Sequence, residues 1–551
     1  DPDRRLLIHE GVCEGCGDCG VQSNCIALEP VETEFGRKRQ INQSVCNKDF
    51  SCLDGHCPSF VSVVGGRLRS AATERLADSG RPAFPDLEVP DPPRPDRGVA
   101  SDVLVAGIGG TGVVTVGALL GMAAHLEGRG CSVLDVTGLS QKNGSVTSHV
   151  RVASDFAELH ATRIADGGAD LLLGCDLVVA TSTENLSKIS SDRTAVIVNR
   201  FVTPTAAFAS DPDLDLTAGP MLDAAGQATG GKGLFSVDAT RVATALLGDA
   251  IFANPFLLGL ALQQGRLPVG LASLRRAIEL NGRSVEANLE ALQWGRLAAV
   301  NLEAVQRCAG LDGPAKHSKP MPTPPETLSA LVTRREEFLE AYQDPSYAAR
   351  FRQLVESATS SARAVGASEA FPKAVARSYS KLLAYKDEYE VARLLSDPGF
   401  REQVEAQFDG DFRLFWHAAP PRLPGIDRVW NRRDAETNRT RKLSLGPWVF
   451  PLLGWLARLR FLRGSLLDPF GGNPHRKLER RWIGEYEDTV GELLEGLNLE
   501  NSELAARIAG LPEGIRGYED VKEASAREVF RERDELMTQF RAFARNPDSM
   551  E

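Results

Sequence analysis

The sequence predicts a multidomain protein in which a small cysteine-rich module precedes a doubly wound α/β domain and a mostly α-helical C-terminal domain. Three observations lead to this fold class. Seven of the ten cysteines fall between Cys13 and Cys57. Short apolar strands alternate with Ala- and Leu-rich helices after Ser101, and the last part of the chain carries charged, amphipathic helical patterns. With 551 residues, the chain has the length of about three or four domains.

Composition divides the chain into five parts. We expect the cysteine-rich module at residues 1–66, a proline-rich linker at 67–98, the α/β domain at 99–312, a second linker at 313–325 and the helical domain at 326–551. The first linker carries six prolines between residues 80 and 98, which favours an extended and semi-rigid chain. The chain begins with Asp rather than Met, so we expect a processed product or a segment of something longer.

The charge and hydropathy of the chain bear on its partners. A net charge of −11 argues against a nucleic-acid surface, because phosphate binding needs clustered excess Lys and Arg. No uncharged apolar stretch reaches the ~18 residues of a membrane helix. The nearest stretch, residues 448–467, contains Arg458, Arg460 and Arg463, which favours a helix buried on one face over a helix on a bilayer surface. We therefore expect a cytoplasmic protein that binds neither nucleic acid nor membrane.

The first three clustered cysteines, Cys13, Cys16 and Cys19, form a C-x-x-C-x-x-C run. Three thiolates at this spacing can bind three corners of a 4Fe–4S cube, while the intervening glycines let the backbone approach the sulfides. A remote cysteine followed by proline usually supplies the fourth ligand, as Cys57 can here. The spacing therefore predicts a 4Fe–4S cluster on Cys13, Cys16, Cys19 and Cys57.

The other three clustered cysteines, Cys25, Cys46 and Cys52, are one short of a second all-cysteine cube. A three-iron cluster, a cube with one non-cysteine ligand, or zinc could use them. The candidate non-cysteine ligands are Asp49, Asp54 and His56. Zinc is also the alternative for the whole module, although zinc sites favour separated C-x-x-C pairs over a C-x-x-C-x-x-C run. Disulfides are not expected, because the chain is long and has no secretory segment.

The α/β domain is predicted from alternating apolar segments. Strands are expected at 102–106, 132–136, 146–153, 171–173, 177–181 and 194–199, and helices at 113–127, 252–264, 271–281 and 285–308. Such alternation is typical of a doubly wound parallel sheet. The helical domain is predicted from amphipathic runs without strand signals, at 324–342, 346–365, 370–395, 398–408, 476–497 and 521–544.

A glycine turn, formed by Gly107, Gly109, Gly110 and Gly112, follows the first of these strands and opens a helix. Asp135 lies 23 residues beyond it, at the end of the second strand. Together they satisfy the dinucleotide fingerprint, in which glycines admit the phosphates and an acid binds the ribose. A glycine turn can also do no more than pack the helix on the sheet. An NAD(P)- or FAD-linked oxidoreductase that uses this turn is therefore one alternative.

Seven segments in chain order carry a family resemblance. They are GVCEGCGDCGVQSNC (11–25), GIGGTGVVTVGALLGMAA (107–124), GLSQKNGSVTSHVRV (138–152), DLLLGCDLVVATSTE (170–184), AIELNGRSVEANLEALQWGR (277–296), AYKDEYEVARL (384–394) and DPFGGNPHRKLERRWIGEYE (468–487). They resemble the C-terminal half of the 2-oxoacid:ferredoxin oxidoreductases in their fused bacterial, indolepyruvate ferredoxin oxidoreductase form. The resemblance covers nearly the whole chain. It implies a ferredoxin-like iron–sulfur module, a Rossmann-like gamma domain and the extra helical domain of the fused enzymes.

The reaction implied by the resemblance converts a 2-oxoacid, CoA and oxidised ferredoxin to acyl-CoA, carbon dioxide and reduced ferredoxin. Family members need thiamine diphosphate and Mg²⁺, which are bound by a G-D-G and a later Asn-rich loop. The chain contains no G-D-G, and its closest string, Asp409-Gly410-Asp411, is expected to be a surface turn. The thiamine-binding alpha and beta modules are therefore expected on an upstream segment or another subunit. Ferredoxin is the expected electron acceptor, and a homodimer is expected for the whole enzyme.

In this family the gamma domain lies beside the thiamine site and the CoA path and is not known as a nicotinamide site. The resemblance implies CoA or active-site contacts at Asn143, Gly144, Ser145 and Arg151, and the glycine turn could hold an anionic group. No catalytic residue is expected on this chain. The remaining notable residues, expected to be structural, are His149, Cys131, Cys175 and Cys308. A zinc-stabilised, non-catalytic assembly subunit is the other alternative.

Overall fold

The structure, a computed structural model, describes residues 3–68, 83–93, 100–138, 144–204, 208, 211–214, 217–311, 327–419 and 442–545. The second expected linker lies outside these ranges, as do Asn143 and much of the first linker. Within the described ranges, three regions follow one another. They are the cysteine-rich module (residues 3–68), the α/β domain (100–311) and the C-terminal region (327–545).

The cysteine-rich module is built from short strands joined by loops. Its elements are β1 (Arg4–Ile8), α1 (Asp18–Ser23), β2 (Leu28–Thr33), β3 (Gly36–Ile41), β4 (Phe60–Val64) and β5 (Arg67–Leu68). β2 and β3 form an antiparallel hairpin, and β1 pairs antiparallel with β4. The clustered cysteines lie in the two connections, from β1 to β2 and from β3 to β4, that join the two strand pairs.

The α/β domain has one mixed sheet surrounded by helices. Its elements are β6 (Ser101–Ile108), α2 (Val113–Leu126), β7 (Gly130–Thr137), β8 (Ser145–Ala153), β9 (Leu171–Gly174), α3 (Leu177–Ala180), α4 (Thr183–Leu186), β10 (Ala195–Asn199), α5 (Ala218–Ala228), β11 (Leu234–Val237), α6 (Ala239–Leu247), α7 (Ala253–Gln263), α8 (Leu271–Asn281), α9 (Val285–Val300) and α10 (Leu302–Cys308). In the described residues, the sheet has six strands in the order β11-β10-β9-β6-β8-β7. Its main core lies between the sheet and helices that include α2, α7 and α9.

The sequence predicts a parallel sheet, but the sheet in the structure is mixed. β11, β10, β9 and β6 are parallel to one another, whereas β8 is antiparallel to both β6 and β7. The connection between β7 and β8, residues 138–144, is too short for a crossover, so these two strands form a hairpin. As a result β8 lies between β6, which leads into the glycine turn, and β7.

Two helix assignments also differ from the predictions. Of residues 177–181, predicted to be extended, Leu177–Ala180 form α3, because the Asp176 side chain accepts the Val179 N–H at 2.9 Å and caps a helix. The predicted helix at 285–308 is divided into α9 and α10, because the side chain of Asn301 caps a new helix. Side-chain capping, rather than apolar periodicity, decides the structure at both places.

Residues 67–68 at the start of the first predicted linker form β5, and residues 83–93 of the same linker pack on the α/β domain. The Phe84 ring lies 4.7 Å from the Trp294 ring, centroid to centroid. The Pro90 carbonyl accepts hydrogen bonds from Gln263 at 2.9 Å and Arg296 at 3.2 Å. Residues 83–93, termed the strap, therefore cross α7 and α9.

The C-terminal region is mostly helical but also contributes strands. Its helices are α11 (Leu328–Tyr342), α12 (Pro345–Ala364), α13 (Ala370–Leu383), α14 (Glu388–Leu395), α15 (Pro398–Gln407), α16 (Val449–Arg458), α17 (Pro474–Gly496), α18 (Ser502–Gly510) and α19 (Glu519–Arg545). Its strands are β12 (Phe408–Asp409), β13 (Arg413–Ala418) and β14 (Leu443–Leu445). The predicted helix at 370–395 is divided, because Asp387 caps α14. The sequence patterns do not predict the strands, which are short.

β13 completes the sheet of the cysteine-rich module. In the described residues, this sheet has the order β1-β4-β13-β14, and β13 is antiparallel to β4. A smaller antiparallel pair joins β12 to β5. The Trp416 indole N–H also donates to the Pro58 carbonyl at 2.7 Å. The module and the C-terminal region are therefore joined by backbone pairing.

A hydrophobic core beneath this sheet, termed the shared core, contains side chains from both ends of the chain. Its members include Leu6, Val12, Phe60, Val391, Phe400 and Leu453. Four buried cysteines, Cys13, Cys19, Cys52 and Cys57, belong to the same core. Helices α11 to α13 and α17 to α19 pack around a separate core made from C-terminal residues. The cysteines thus lie where the module meets the C-terminal region.

Candidate metal centre

Four thiols, those of Cys13, Cys16, Cys19 and Cys57, form the first cysteine group, and all but that of Cys16 belong to the shared core. Burial raises the pKa of the Cys13, Cys16 and Cys19 thiols, and the nearby Cys57 raises each of them further. Four thiolates this close would repel one another unless a cationic group joined them. Metal binding removes the thiol protons and supplies that positive charge.

The loop between the first three cysteines needs glycine at position 15. The φ angle of Gly15 is +69°, and a Cβ there would lie 2.1 Å from the Arg37 carbonyl oxygen. The Gly15 N–H donates to the sulfur of Cys13 at 3.3 Å. Gly55 makes a second close approach, where a Cβ would lie 2.9 Å from the Cys19 Cα. The backbone is therefore wrapped tightly around the thiols and directs an N–H group at sulfur.

The remaining clustered thiols, those of Cys25, Cys46 and Cys52, form the second cysteine group. Burial raises the pKa of Cys52 to about 12, and Cys25 and Cys46 act in the same direction. Asp49 also acts on Cys52, which places this candidate ligand beside the second group. Cys52 in turn raises the pKa of the Cys19 thiol. The two cysteine groups are therefore neighbours.

The first cysteine group can be compared with a site that holds a single metal ion. Within the ranges that the structure describes, no three His, Cys, Asp or Glu side chains are arranged to hold one metal ion. The cysteines of a 4Fe–4S cluster bind separate irons and need not meet around a single ion. Four thiols are the complete ligand set of such a cluster, and the first group provides them.

Buried cations surround the first cysteine group. Lys38 and Arg39, on β3, are buried, and burial lowers the pKa of Lys38 to about 8. Glu14, next to Cys13, is buried and forms an ion pair with Lys386 from the C-terminal region. Burial alone would raise the pKa of Glu14, but the charges of Lys386 and Lys38 outweigh it and hold that pKa below its usual range. The C-terminal region thus contributes charge as well as packing to the module.

A cavity of ≈ 190 Å³ lies between the module and the C-terminal region. His56 and Pro58, on either side of Cys57, form part of its wall. The Nε2 of His56 lies 3.0 Å from the Glu519 carboxylate, so this candidate metal ligand has a carboxylate partner. Lys386 lines the cavity on the C-terminal side. The cavity therefore adjoins the first cysteine group.

The glycine turn lies at the carboxyl end of β6, where the sheet meets α2. Gly110 and Gly112 have φ angles of +86° and +92°, which favour glycine. The Gly109 N–H donates to the Gly144 carbonyl at 2.8 Å, and Ser145 pairs with the last residue of β6. The structure thus brings Gly144 and Ser145 to the turn. α2 begins without a side-chain cap, so an anion would be favoured at its first N–H groups.

Arg151 lies away from the glycine turn. It pairs with Asp102 at the opposite end of β6. The Arg151 guanidinium donates to the two Asp102 carboxylate oxygens at 2.7 and 3.1 Å. His149, on the same strand, is buried and accepts the Ile164 N–H at its Nδ1 at 3.2 Å. Both side chains are engaged by the fold, and the structure does not bring Arg151 to a contact with the turn.

Asp135 is separated from the glycine turn by a strand. It is exposed on the edge strand β7, and β8 lies between β7 and β6. In a dinucleotide-binding fold the acidic residue follows the strand next to the first strand. The mixed topology therefore does not give Asp135 the position that a ribose contact requires.

Asp176, which sequence reasoning missed, is an acid that lies at the turn. It follows β9, the parallel neighbour of β6, and its backbone nitrogen would lie 3.6 Å from a Cβ built on Gly107. Burial raises the pKa of Asp176 to about 6. The sequence signal for Asp176 was an acidic residue directly after a buried strand. Such a residue is expected near the glycine turn, because the carboxyl ends of parallel strands meet at one edge of the sheet.

The cysteines outside the two groups belong to the α/β core. Cys175 is buried there, and Cys131 and Cys308 are partly buried against it. Burial raises the pKa of Cys175 to about 12, which favours the inert thiol. The Asp409-Gly410-Asp411 string is exposed and leads from the last residue of β12 into the connection to β13.

The most apolar stretch of the C-terminal region contains α16. Val449 and Leu453 are buried in the shared core, whereas Trp448, Leu452 and Trp455 are exposed. The helix is therefore buried on one face. Among the residues that the structure describes, no helix combines the length and apolar character needed to cross a membrane.

Two protein families match different parts of the chain. Residues 102–298 match the family described as pyruvate ferredoxin/flavodoxin oxidoreductase. Residues 328–535 match a family of unknown function. The first match falls within the α/β domain and the second within the C-terminal region.

Individual relatives and solved structures were also found. Indolepyruvate oxidoreductase subunit IorB of Archaeoglobus fulgidus is 26% identical over 206 residues, which cover 36% of this chain and 96% of that protein. The subunit of the same name from Thermococcus kodakarensis is 28% identical over 204 residues, covering 36% and 95%. Among solved structures, pyruvate oxidoreductase subunit PORC of Thermotoga maritima has 20% identity and a TM-score of 0.26, covering 36% of this chain and 96% of that chain.

Proposed function

This chain is a member of the 2-oxoacid:ferredoxin oxidoreductase family, and we propose that it is the electron-transfer and gamma-domain portion of an enzyme that acts on indolepyruvate or a related arylpyruvate. The α/β domain would be the gamma domain. The first cysteine group would hold a 4Fe–4S cluster. The complete enzyme would oxidatively decarboxylate the 2-oxoacid to acyl-CoA and reduce ferredoxin. The names of the curated relatives support the choice of indolepyruvate.

One observation supports the electron-transfer role, namely the mutual electrostatic influence of the Cys13, Cys16, Cys19 and Cys57 thiols, three of which lie in the shared core. A bound 4Fe–4S cluster would supply one-electron transfer at a low reduction potential. The chain's own residues would bind it through the thiolates and direct the Gly15 N–H at the Cys13 sulfur. The shared core would exclude water. Hydrogen bonds to sulfur and limited exposure to solvent are the factors by which proteins adjust such clusters.

The second cysteine group is proposed to hold a second metal group. Cys25, Cys46 and Cys52 would be three of its ligands, and the influence of Asp49 on Cys52 supports Asp49 as the fourth. A short separation between the groups would suit electron transfer, and the influence of Cys52 on Cys19 supports it.

The carbon chemistry is proposed to lie on partner modules. The chain contains no G-D-G of the kind that binds thiamine diphosphate and Mg²⁺. The curated relatives are named as subunits, which supports partner chains or modules. We propose ferredoxin as the acceptor and a homodimer for the whole enzyme.

The glycine turn is proposed to contact an anionic part of CoA. The uncapped start of α2, the open space beside Gly110 and the proximity of Gly144 and Ser145 support this role. The strand between Asp135 and the turn argues for CoA over NAD(P). Calorimetric titration with CoA, NADH and NADPH tests the choice. Micromolar binding of a nicotinamide nucleotide, without binding of CoA, would favour the NAD(P)-linked alternative.

The metal content tests the central proposal. Anaerobically purified chain should contain at least about four irons and four sulfides per polypeptide and absorb broadly in the visible range. Cys16→Ala should remove this signal, whereas Cys131→Ala, outside both groups, should retain it. Stoichiometric zinc without sulfide would contradict the proposal. The chain alone should neither bind thiamine diphosphate nor decarboxylate indolepyruvate, and activity should appear when the thiamine-binding modules are added.

A further inference from the structure

Lys442 carries a buried ammonium that has no hydrogen-bond acceptor among the residues that the structure describes. It directly precedes β14, which pairs with β13 in the sheet above the shared core. Its Nζ lies 4.9 Å from the centroid of the Phe60 ring. Buried lysines are almost always paired. A lysine placed here is therefore expected to face a negative charge that the folded protein acquires.

The groups with the largest influence on Lys442 are mainly cysteines, which become negative when metal binding removes their protons. Burial lowers the pKa of Lys442, while Cys57 and Cys19 of the first group and Cys52 of the second act to raise it. Asp18 also acts to raise the pKa of Lys442, but its carboxylate already accepts a hydrogen bond from the backbone N–H of His56 at 2.7 Å. Lys442 is thus a cation that both cysteine groups influence.

We propose that Lys442 is the counter-charge of the iron–sulfur clusters, a fixed ammonium that stabilises their reduced form and thereby raises their reduction potentials. This inference rests on the proposed function, because it requires clusters on the cysteine groups. Reduction adds one electron to a cluster, no bond forms or breaks, and the ammonium keeps its proton. A positive charge in a core of low dielectric constant stabilises the added negative charge.

The inference gives a role to the part of the chain that matches a family of unknown function. Lys442 lies within residues 328–535, as does Lys386, which pairs with Glu14 beside Cys13. The C-terminal region would then be a component of the redox site rather than a separate module. Its contribution would be charge delivered to cysteines that belong to the other end of the chain.

The test measures cluster potentials in the full chain. Anaerobically purified protein is titrated with dithionite while the clusters are followed by electron paramagnetic resonance and visible absorbance. Lys442→Met and Lys442→Gln remove the charge, and Lys442→Arg retains it. Lys477→Met, which removes an exposed lysine from α17, is the matched control. Iron and sulfide are measured in every variant.

We expect full cluster content in each variant and cluster reduction at least tenfold less favourable in the Met and Gln variants. For a one-electron couple, a tenfold change corresponds to a potential lower by about 59 mV. The Arg variant and the Lys477 control should stay close to the unchanged protein. Loss of clusters from the Met and Gln variants, but not from the Arg variant, would also support the counter-charge.

Two results would overturn the inference while leaving the proposed function intact. One is an unchanged potential in both neutral variants with full cluster content. The other is loss of clusters from all three Lys442 variants, because charge would then not be the property that matters. Absence of iron and sulfide from the unchanged chain would instead overturn the proposed function itself.

Discussion

The α/β domain and the cysteine-rich module differ in where their packing partners lie along the chain. The described strands of the α/β sheet all fall between Ser101 and Val237, and its main core comes largely from the same domain. In the module, β4 lies between β1 and β13, and the shared core takes Val391, Phe400 and Leu453 from the C-terminal region. Without that region, β4 would present an open strand edge and apolar side chains would face water.

The two candidate sites, the glycine turn and the first cysteine group, therefore depend on different parts of the chain. The glycine turn is formed by β6, α2 and the start of β8, which are close together in sequence. The first cysteine group needs Lys386 and the C-terminal part of the shared core as well. Changes in the C-terminal region should therefore disturb the proposed metal centre while leaving the glycine turn unaffected.

Separating the regions should have the largest effect. Residues 83–311, expressed alone, should unfold in one cooperative thermal transition, because the sheet, its core and the strap are all present. Residues 1–68 alone should fail to retain iron and sulfide, and residues 327–551 supplied as a second chain should restore retention. Circular dichroism and iron analysis check both expectations. Full iron retention by residues 1–68 alone would contradict the comparison.

Breaking the buried ion pair between Glu14 and Lys386 should have the second-largest effect. Lys386→Met leaves Glu14 buried without its partner, and should lower the free energy of unfolding of the joined module and C-terminal region by about 3–5 kcal/mol. The double variant Glu14→Met/Lys386→Met should recover most of this loss, because no unpaired charge remains. Lys188→Met, which removes the partner of exposed Asp166 in the α/β domain, is the control. Chemical denaturation should show little effect of that control, and an equal loss would refute the distinction.

A glycine substitution in the cysteine loop should cost somewhat less. Gly15→Ala imposes a left-handed backbone on alanine and places its Cβ against the Arg37 carbonyl, and we expect a loss of about 2–3 kcal/mol. Iron content should fall with it. Gly36→Ala is the matched control, because Gly36 also has a positive φ but open space around it. Denaturation and iron analysis of both variants give the answer, and equal iron content would count against a tight cysteine loop.

Acid should weaken the contact between module and C-terminal region by a smaller amount. His9 donates from Nε2 to the Leu394 carbonyl at 3.0 Å and stacks on Phe400, and burial lowers its pKa to about 4. The unfolded chain binds this proton near pH 6.5 and the folded chain only near pH 4, so stability falls as pH falls through this window. The expected loss between neutral pH and pH 5 is about 2 kcal/mol.

The variant His9→Gln isolates this effect. Thermal unfolding measured from pH 7 to pH 5 should depend less on pH in His9→Gln than in the unchanged chain. His125→Gln, which replaces an exposed histidine on α2, should keep the original dependence. The same pH dependence in all three proteins would show that His9 is not its source.

Much of the α/β domain follows from local sequence patterns. The helix at 271–281 and the strand at 171–173 can be predicted to within a residue or so, because the apolar period and the turn residues are local. The direction of β8 cannot be read from its own residues, since it depends on the length of the connection to β7. The hairpin that results is what removes Asp135 from the glycine turn.

The spacing of the cysteines also predicts how they divide. In the structure the thiols of Cys13, Cys16, Cys19 and Cys57 influence one another, and Cys52 of the second group also acts on Cys19, so the division into two ligand sets stays a prediction. Their surroundings could not be predicted in the same way. β13 is a six-residue strand in a helical region, and the position of Lys442 depends on β14 joining it. Such pairings between distant segments leave no periodic signal in either segment.

The position of β4 between β1 and β13 has a consequence for how the protein is made. On the ribosome, Val64 is synthesised about 350 residues before Arg413, with which it pairs, and this interval takes between about 20 and 70 s at about 5–20 residues per second. During that time the cysteine loops exist without the strand that later covers them. Metal delivery to the nascent chain would therefore have free access to the thiols, and pairing of β13 would mark the end of that period.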